Sequence, residues 1–284
     1  MVIGIVAAVL AAFAYGTASV LQARGAQSVD DQSAGAAPTL RSTVTAMLTV
    51  SFLTGLALDG LGFAGNLVAD RLIPLFLAQP IVSANLVVTA VLATIVLDAR
   101  LSRREWTAVI VVVVALVVLG LGAGDEGHRD RAWLHWVLLV VGIGLFVLIT
   151  AVTRVIRKGV AVVAGLGGGA LFGLMAVAIR VLDGLDPFDP GAMLTDPALY
   201  AVVICGVGGF YLFTVALQTG AVSAAAASIV VGETVIPGAL GIALLGDTTR
   251  AGWGVVTVLA FVAAVIGAVV VATSSAVEVT ESAG

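Results

Sequence analysis

The chain consists of long apolar stretches separated by short polar segments. Each stretch is close to or longer than the roughly 20 residues that an α-helix needs to cross the hydrocarbon core of a bilayer. The pattern therefore predicts an all-α fold, a polytopic membrane helix bundle of about nine transmembrane helices, which we number spans 1 to 9. The predicted spans cover residues 2–22, 44–67, 72–97, 106–121, 133–152, 160–182, 198–218, 221–245 and 253–272.

Polar side chains recur at helical spacing on several of these apolar spans. The stripes they form are Tyr15, Ser19 and Gln22 on span 1, Asp59 and Asn66 on span 2, Gln79 and Ser83 on span 3, and Tyr211, Thr214 and Gln218 on span 7. Asp70 follows Asp59 at the same helical spacing, in the polar turn Asp70-Arg71 predicted after span 2. Residues at these spacings share one face of a helix. In a membrane span, such a face points into the bundle interior or toward a water-filled cavity, so the stripes predict a polar interior.

Glu233 is an acid near the middle of span 8. A carboxylate at the bilayer centre costs about 2.5 kcal/mol or more on insertion scales, so such a residue is a candidate functional group. Pro237 follows four residues later, and Pro80 occupies span 3. A proline inside a helix kinks it and frees the carbonyl four residues back, here those of Glu233 and Phe76. An acid beside a free carbonyl suits a cation or a proton; the alternative is a protonated Glu233 bonded to a neighbouring helix.

Span 6 carries a ridge of small residues at every fourth position, formed by Gly165, Gly169 and Gly173. Such a ridge predicts close helix packing rather than ligand binding. Near the end of the same span, Arg180 is expected to extend its guanidinium to the membrane interface. The following residues, 183–197, are rich in Asp and Pro and do not match the spacing of a calcium-binding loop, which predicts a solvated acidic loop.

The composition agrees with a membrane protein that has little mass outside the bilayer. The chain is 61% hydrophobic and 11% charged, with a mean hydropathy of +1.18, against roughly half and a quarter in soluble domains. No basic patch is present to bind nucleic acid. With Cys205 as the single cysteine, and His128 and His135 as the two histidines, we expect no catalytic residues, no metal site and no cofactor. His135 lies between Trp133 and Trp136, which predicts a position at the membrane interface.

The two halves of the chain are related by an ungapped alignment of residues 62–106 with residues 209–253. The matches include Gly62-Phe63 with Gly209-Phe210, Leu97 with Leu244, Arg103 with Arg250 and Trp106 with Trp253. Spans 2–4 then correspond to spans 7–9, and because five spans separate each pair, the halves have opposite orientations. Inverted repeats recur in transporters, with the binding site at the repeat interface.

The repeat predicts three parts of the chain. The first transmembrane repeat, of four helices, is predicted in residues 1–123. A linker helix with its flanking loops follows in residues 124–158. The second, inverted repeat of four helices and a short acidic tail with Glu278 and Glu281 occupy residues 159–284.

The basic residues are distributed unevenly between the two sets of loops. The loops after spans 1, 3, 5 and 7 carry the eight residues Arg24, Arg41, Arg100, Arg103, Arg104, Arg154, Arg157 and Lys158. The opposite loops carry the five residues Arg71, Arg129, Arg131, Arg180 and Arg250. The positive-inside rule therefore predicts a multi-pass protein of the cytoplasmic membrane, with its N-terminus outside and its C-terminus in the cytoplasm.

Three segments of the second half carry a resemblance to a known family. Residues 216–218 (ALQ), 229–237 (IVVGETVIP) and 244–247 (LLGD) resemble the last repeat of the drug/metabolite transporter superfamily, of the EamA-like kind. Residues 97–106 (LDARLSRREW) resemble the corresponding turn of the first repeat. The chain has Asp where this family usually has Glu at the turn, and nine spans rather than ten. Nine spans and the residues 77–80 (LAQP) are similar to the branch of NIPA-like magnesium transporters.

The leading hypothesis is a secondary transporter that moves a small solute by alternating access, with proton coupling through Glu233 as one form of it. Its expected partners are a small-molecule or ion substrate and membrane lipid. Two alternatives remain: a divalent-cation transporter of the magnesium type, whose oxygen ligands include Asp59 and Glu233, and a non-transporting membrane subunit or lipid-handling scaffold with a dry interior. The candidate pathway residues are Tyr15, Gln22, Asp59, Gln79, Tyr211, Gln218 and Glu233.

Overall fold

Nine helices in the described part of the chain are long and apolar enough to cross a membrane, which confirms the predicted all-α, polytopic fold. A computed structural model describes residues 1–30, 49–129, 131–156, 158–185, 187–218 and 222–274. The spans are Val2–Gly25, Val50–Leu72, Leu75–Val96, Arg103–Gly122, Ala132–Val155, Val160–Val181, Pro197–Leu217, Ala224–Leu245 and Gly254–Ala272. The helix of span 1 continues to Asp30. The acidic tail with Glu278 and Glu281 lies outside the described residues.

Local capping sequences fix where several spans begin. Span 4 starts with a capping box, in which the Ser102 amide donates to Glu105 Oε2 at 2.5 Å and the Glu105 amide donates to Ser102 Oγ at 3.3 Å. These bonds satisfy donors that the first helical turn leaves open. Span 7 starts at Pro197, and its cap is Asp196, whose Oδ1 accepts from the Ala198 amide at 2.8 Å.

Spans 3 and 8 are irregular, and both contain an internal proline. Span 3 consists of the helices Leu75–Ser83 and Asn85–Val96, which are interrupted at Ala84. Span 8 consists of the helix Val222–Leu240 and a π-helical turn, Gly241–Leu245. In each span the irregular backbone therefore begins four residues after the proline. Interruptions of this kind are common at functional positions of membrane helices, where surrounding protein satisfies the freed backbone groups.

The contacts between spans follow the same pattern in each half of the chain. Span 1 packs against spans 2 and 3, and span 6 packs against spans 7 and 8. The halves meet where span 3 packs against span 8 and where span 4 packs against span 9. Spans 3 and 6 are the most buried of the nine, whereas span 5, between the halves, is the least buried.

The glycine ridge of span 6 lies against span 8. A Cβ atom at Gly169 would lie 2.9 Å from the backbone nitrogen of Glu233, and one at Gly173 would lie 2.7 Å from the ring of Pro237. A Cβ atom at Gly165 would meet Ser228 at 2.9 Å. Because these positions have no side chain, the backbones of spans 6 and 8 approach each other closely. The ridge thereby fixes the depth and rotation of the helix that carries Glu233.

The loops after spans 2, 4, 6 and 8 meet at one end of the bundle, which we call the even face. The C-terminal ends of spans 1, 3, 5 and 7 lie at the opposite end, which we call the odd face. At the even face, the loop between spans 4 and 5 pairs with the loop between spans 8 and 9. The amide of Gly124 donates to the Thr248 carbonyl at 3.0 Å, and the amide of Arg250 donates to the Gly122 carbonyl at 2.9 Å.

Candidate functional site

A group of polar side chains near the even face joins spans 2 and 3. Gln79 Nε2 donates to Asp70 Oδ1 at 2.6 Å and lies 3.4 Å from Asn66 Oδ1, and all three residues are buried. Asn66 and Asp70 are one helical turn apart, so both present their side chains to Gln79. The second carboxyl oxygen of Asp70, Oδ2, is buried and has no hydrogen-bond partner among the described residues.

A second contact joins the two halves of the chain at the middle of the bundle. Ser83 Oγ, one turn beyond Gln79 on span 3, donates to Glu233 Oε1 of span 8 at 2.8 Å. Tyr15 of span 1 packs its ring on Gly62 and lies close enough to the carboxyl groups of Asp59, Asp70 and Glu233 to interact with them electrostatically. The acid predicted as a functional group in span 8 therefore lies in a polar interior between the halves.

A third contact lies toward the odd face, between spans 1 and 2. Gln22 Nε2 donates to Asp59 Oδ2 at 2.5 Å, and both side chains are half-buried. Together the three contacts form a line of polar groups through the bundle, which we call the polar file. Its members are Tyr15, Gln22, Asp59, Asn66, Asp70, Gln79, Ser83 and Glu233.

The polar file is closed toward the even face and more exposed toward the odd face. Asp70, nearest the even face, is 0% exposed, and its neighbours Asn66 and Gln79 are 7% and 5% exposed. Asp59 and Gln22, by contrast, are half-buried. The interior of the bundle thus has one closed end and one end at which its polar groups are partly accessible.

Arg180 closes the even face, and the prediction that it extends to the membrane interface is wrong. Its side chain is 8% exposed. The guanidinium donates to the backbone carbonyls of Asp70 and Ile73, and its Nη1 lies 3.3 Å from Asp247 Oδ1. The carbonyls at the end of span 2 have no partner within the helix, so they can accept from Arg180. These carbonyls and the Asp247 carboxylate together satisfy the guanidinium inside the bundle, and it does not need to reach the membrane interface.

Arg71 makes the reciprocal contact from span 2 to span 6. Its Nη1 donates to the Leu182 carbonyl at 2.7 Å and to the Ile179 carbonyl at 3.2 Å. The C-terminal ends of spans 2 and 6 are therefore each capped by an arginine of the other helix, as their open carbonyls and negative dipole ends favour.

Asp247, in the loop after span 8, connects this pair of helix ends to two further loops. Its Oδ2 accepts from the Leu75 amide at 2.7 Å, and its Oδ1 accepts from the Gly127 amide at 2.8 Å as well as from Arg180. We call the group formed by Arg71, Arg180 and Asp247 the even-face lock. One carboxylate thus holds together groups from spans 3 and 6 and from the loop between spans 4 and 5.

Comparison with family models, curated proteins and solved structures finds no match for this chain. The resemblance to drug/metabolite transporters therefore stays an expectation from the sequence. Any assignment of function rests on the polar file and the even-face lock.

Five of the seven predicted pathway residues lie in the polar file, and two do not. Tyr211 is 42% exposed, and its ring packs edge-on against Phe146 with 5.7 Å between the centroids. Gln218 is exposed at the end of span 7. Thr214, between them, donates to the Phe210 carbonyl of its own helix at 2.9 Å. The Thr214 hydroxyl is satisfied within its own helix, so this stripe does not require a polar partner. The role predicted for Tyr211 and Gln218 therefore stays a prediction, and neither residue lies in the polar file.

The loop after span 6 also differs from expectation, and it holds the partner of His135. His135 lies in the first turn of span 5 and is buried, with its Nδ1 2.6 Å from Asp196 Oδ1. The predicted solvated loop contains a short helix, Pro190–Thr195, and the buried cap Asp196, whose Oδ2 accepts from the Asp183 amide at 2.8 Å. Ligand atoms of His135, Asp183 and Asp196 lie within 4.8 Å of one another, beside a cavity of about 360 Å³. The capping bonds of Asp196 favour a structural role for this cluster.

Six residues of the polar file and the even-face lock were not among the predicted pathway residues: Asn66, Asp70, Arg71, Ser83, Arg180 and Asp247. Asp70 belongs to the polar stripe of span 2, so its position on the interior face was available from the spacing. Arg180 is a cation inside an apolar span, and such a residue can indicate a buried ionic partner as well as a side chain that extends to the membrane interface. The signal at Asp247 is its place in the turn that resembles a transporter repeat.

Proposed function

We propose that this protein is a secondary transporter that moves a small solute across the cytoplasmic membrane by alternating access. The observation that carries the proposal is a polar file on spans 1–3 that meets the second half of the chain at Glu233. The file is closed at one face of the bundle and partly exposed toward the other. A static membrane subunit has no need of acids in its interior, because charged side chains within a span are costly. A pathway for a polar solute does need them.

The irregular spans 3 and 8 supply the moving parts in this mechanism. Each contributes one partner of the contact between Ser83 and Glu233, so a shift of either helix changes the middle of the path. The present arrangement corresponds to a state closed at the even face. In the opposite state, the even-face lock is open and the odd face is closed. Because the spans pack in the same pattern in both halves, we expect the two states to interconvert by a rocking motion of one half against the other.

A second candidate is a transporter of a divalent cation. Apart from Asp70, which lies beside Arg180, the polar file contains the carboxyl groups of Asp59 and Glu233. The cations Arg71 and Arg180 are bound in the even-face lock. Carboxylate, amide and hydroxyl oxygens are the ligands that magnesium uses, often with several waters retained. A cation as the solute is therefore favoured over an anion, and proton coupling through Glu233 is the competing use of the same acids.

Thiol labelling of single cysteines tests the proposal. In a Cys205→Ala background, Asp59→Cys, Gln79→Cys and Glu233→Cys are introduced one at a time. We expect a membrane-impermeant thiol reagent to modify positions 59 and 233, since a solute pathway contains water. Gly144→Cys on span 5, where a Cβ atom meets nothing within 4 Å, is the lipid-facing control and should stay unmodified. Absence of reaction at all three test positions from either side of the membrane would mean a dry interior and favour the scaffold.

A further inference from the structure

We infer that Asp70 is a proton-binding site and that its protonation keeps the even-face lock closed, with Arg180 as the group through which the two are linked. The inference rests on the proposed transport function and deepens it, because it names the proton as the coupling ion and assigns it to a residue other than Glu233.

Arg180 lies between two carboxyl groups and bonds directly to only one of them. Its Nη1 faces Asp247 Oδ1 at 3.3 Å, whereas its Nε donates to the backbone carbonyl of Asp70 rather than to the carboxyl group. Both carboxyl groups nevertheless act on the guanidinium electrostatically. The lock is thus built on the pair Arg180–Asp247, with a second acid adjacent to the same cation.

The surroundings of the Asp70 carboxyl group suit the neutral acid. Asp70 Oδ1 accepts one bond from Gln79, and Oδ2 is buried without a partner among the described residues. A buried carboxylate with an unsatisfied oxygen carries a large desolvation penalty, which protonation removes. A metal ion at this place would add positive charge beside the Arg180 guanidinium, whereas a proton only neutralises the Asp70 carboxylate. The proton therefore fits this position better than a metal ion.

Loss of the proton acts on the lock in two ways. The new negative charge of Asp70 competes with Asp247 for Arg180, and it requires hydration that only an open even face can supply. A ligand shifts a conformational equilibrium toward the state that binds it more tightly. Proton binding therefore favours the state closed at the even face, and proton release to water favours the open state. The step is a transfer of one proton between water and the Asp70 carboxylate, with no other bond made or broken in the chain.

Other charged and titratable groups face the same region and must be separated from Asp70. They are Tyr15 on span 1, Asp59 and Arg71 on span 2, Arg180 on span 6, Glu233 on span 8, and Glu126 and Asp247 in the loops. On span 3, the facing side chain is the neutral Gln79. Glu233 is the main competitor as a proton carrier, and it is therefore the matched control.

The test measures opening of the even face by labelling a cysteine beneath the lock. Ser83→Cys in the Cys205→Ala background places a nearly isosteric thiol on the polar file, and Thr195→Cys marks the even face and corrects for the pH dependence of thiol reactivity. A membrane-impermeant reagent is added to the even face of sealed vesicles. We expect the corrected rate at position 83 to rise several-fold from acidic to alkaline pH.

The variants assign this pH dependence to its source. Asp70→Asn imitates the protonated acid and should keep position 83 unreactive from the even face at every pH. Asp247→Asn weakens the lock and should leave position 83 reactive at every pH, and it carries the test if Asp70→Asn does not yield folded protein. Glu233→Gln should retain the pH dependence.

Two distinct failures can be recognised. A corrected rate at position 83 that does not change with pH, or that changes equally in Asp70→Asn, overturns the inference while labelling from the odd face still supports transport. Loss of the pH dependence in Glu233→Gln overturns it as well, because the proton is then carried by Glu233. If position 83 reacts from neither face under any condition, the interior is dry and the proposed function itself fails.

Discussion

At the scale of single residues, Asp247 is the group on which the closed even face depends most. One carboxylate accepts from two backbone amides and from Arg180, and it is 4% exposed. Water cannot replace these bonds at a buried position. Removal of the carboxylate therefore leaves three donors without this acceptor, namely the amides of Leu75 and Gly127 and the charged guanidinium of Arg180.

We therefore predict that Asp247→Ala destabilises the protein strongly. Breaking a buried ion pair by removing one partner typically costs about 3–5 kcal/mol, because the remaining charge stays buried without compensation. Thermal unfolding in detergent should show a large fall in the midpoint for Asp247→Ala. The matched control is Asp125→Ala, an exposed aspartate of the loop that pairs with this one, and its midpoint should stay close to that of the unaltered chain. Equal midpoints for the two variants would contradict the central role of Asp247.

The same residues show how much of the site can be predicted from sequence. The helical spacing of Asp59, Asn66 and Asp70 correctly identifies an interior face, because burial of one face is a local property of an amphipathic span. The direction in which the Arg180 side chain points cannot be read from its own span. It depends on open carbonyls at the end of span 2, which lie about 110 residues away in sequence. Spacing therefore finds the polar file but not the lock.

At the scale of elements, the contact between spans 6 and 8 determines where Glu233 lies. The predicted glycine ridge of span 6 faces span 8, and a Cβ atom at Gly169 would approach the backbone of Gly232 and Glu233 to 2.9 Å. The interruptions of spans 3 and 8 could be expected from Pro80 and Pro237. Their position, one turn after each proline, could not, because it depends on the neighbouring helices that satisfy the freed backbone groups.

We predict that Gly169→Val displaces span 8 and destabilises the bundle. The new side chain meets backbone atoms, which cannot rotate away, and overpacking of this kind costs about 1–3 kcal/mol or more. Gly144→Val on span 5 is the control, since its Cβ atom meets nothing within 4 Å. Both variants carry the same change in helix propensity, so a lower unfolding midpoint for Gly169→Val alone reports the packing. Equal midpoints would mean that the ridge does not hold span 8.

At the scale of the whole molecule, the two faces of the bundle differ in charge as well as in structure. The exposed cations of the described residues at the odd face are Arg24, Arg100, Arg103, Arg104, Arg154 and Lys158, and those at the even face are Arg129, Arg131 and Arg250. The other two cations of the even face, Arg71 and Arg180, are bound in the lock. Among the described residues, six exposed cations therefore lie at the odd face and three at the even face, a ratio of two to one. The sequence count of eight against five also includes Arg41 and Arg157, which lie outside the described residues.

This asymmetry predicts the orientation of the protein in the membrane. The cytoplasmic leaflet carries anionic lipids and attracts juxtamembrane Lys and Arg, so the odd face should be cytoplasmic and the even-face lock should face outward. Because the nine spans of the described residues place residues 1 and 274 on opposite sides, we expect the C-terminus in the cytoplasm. A reporter fused after Gly284 that is active only in the cytoplasm should give a signal, and Lys158→Cys in intact cells should resist an impermeant thiol reagent that modifies Thr195→Cys. The reverse pattern at these two positions, together with a fusion active only outside, would invert the assignment and with it the direction from which protons reach Asp70.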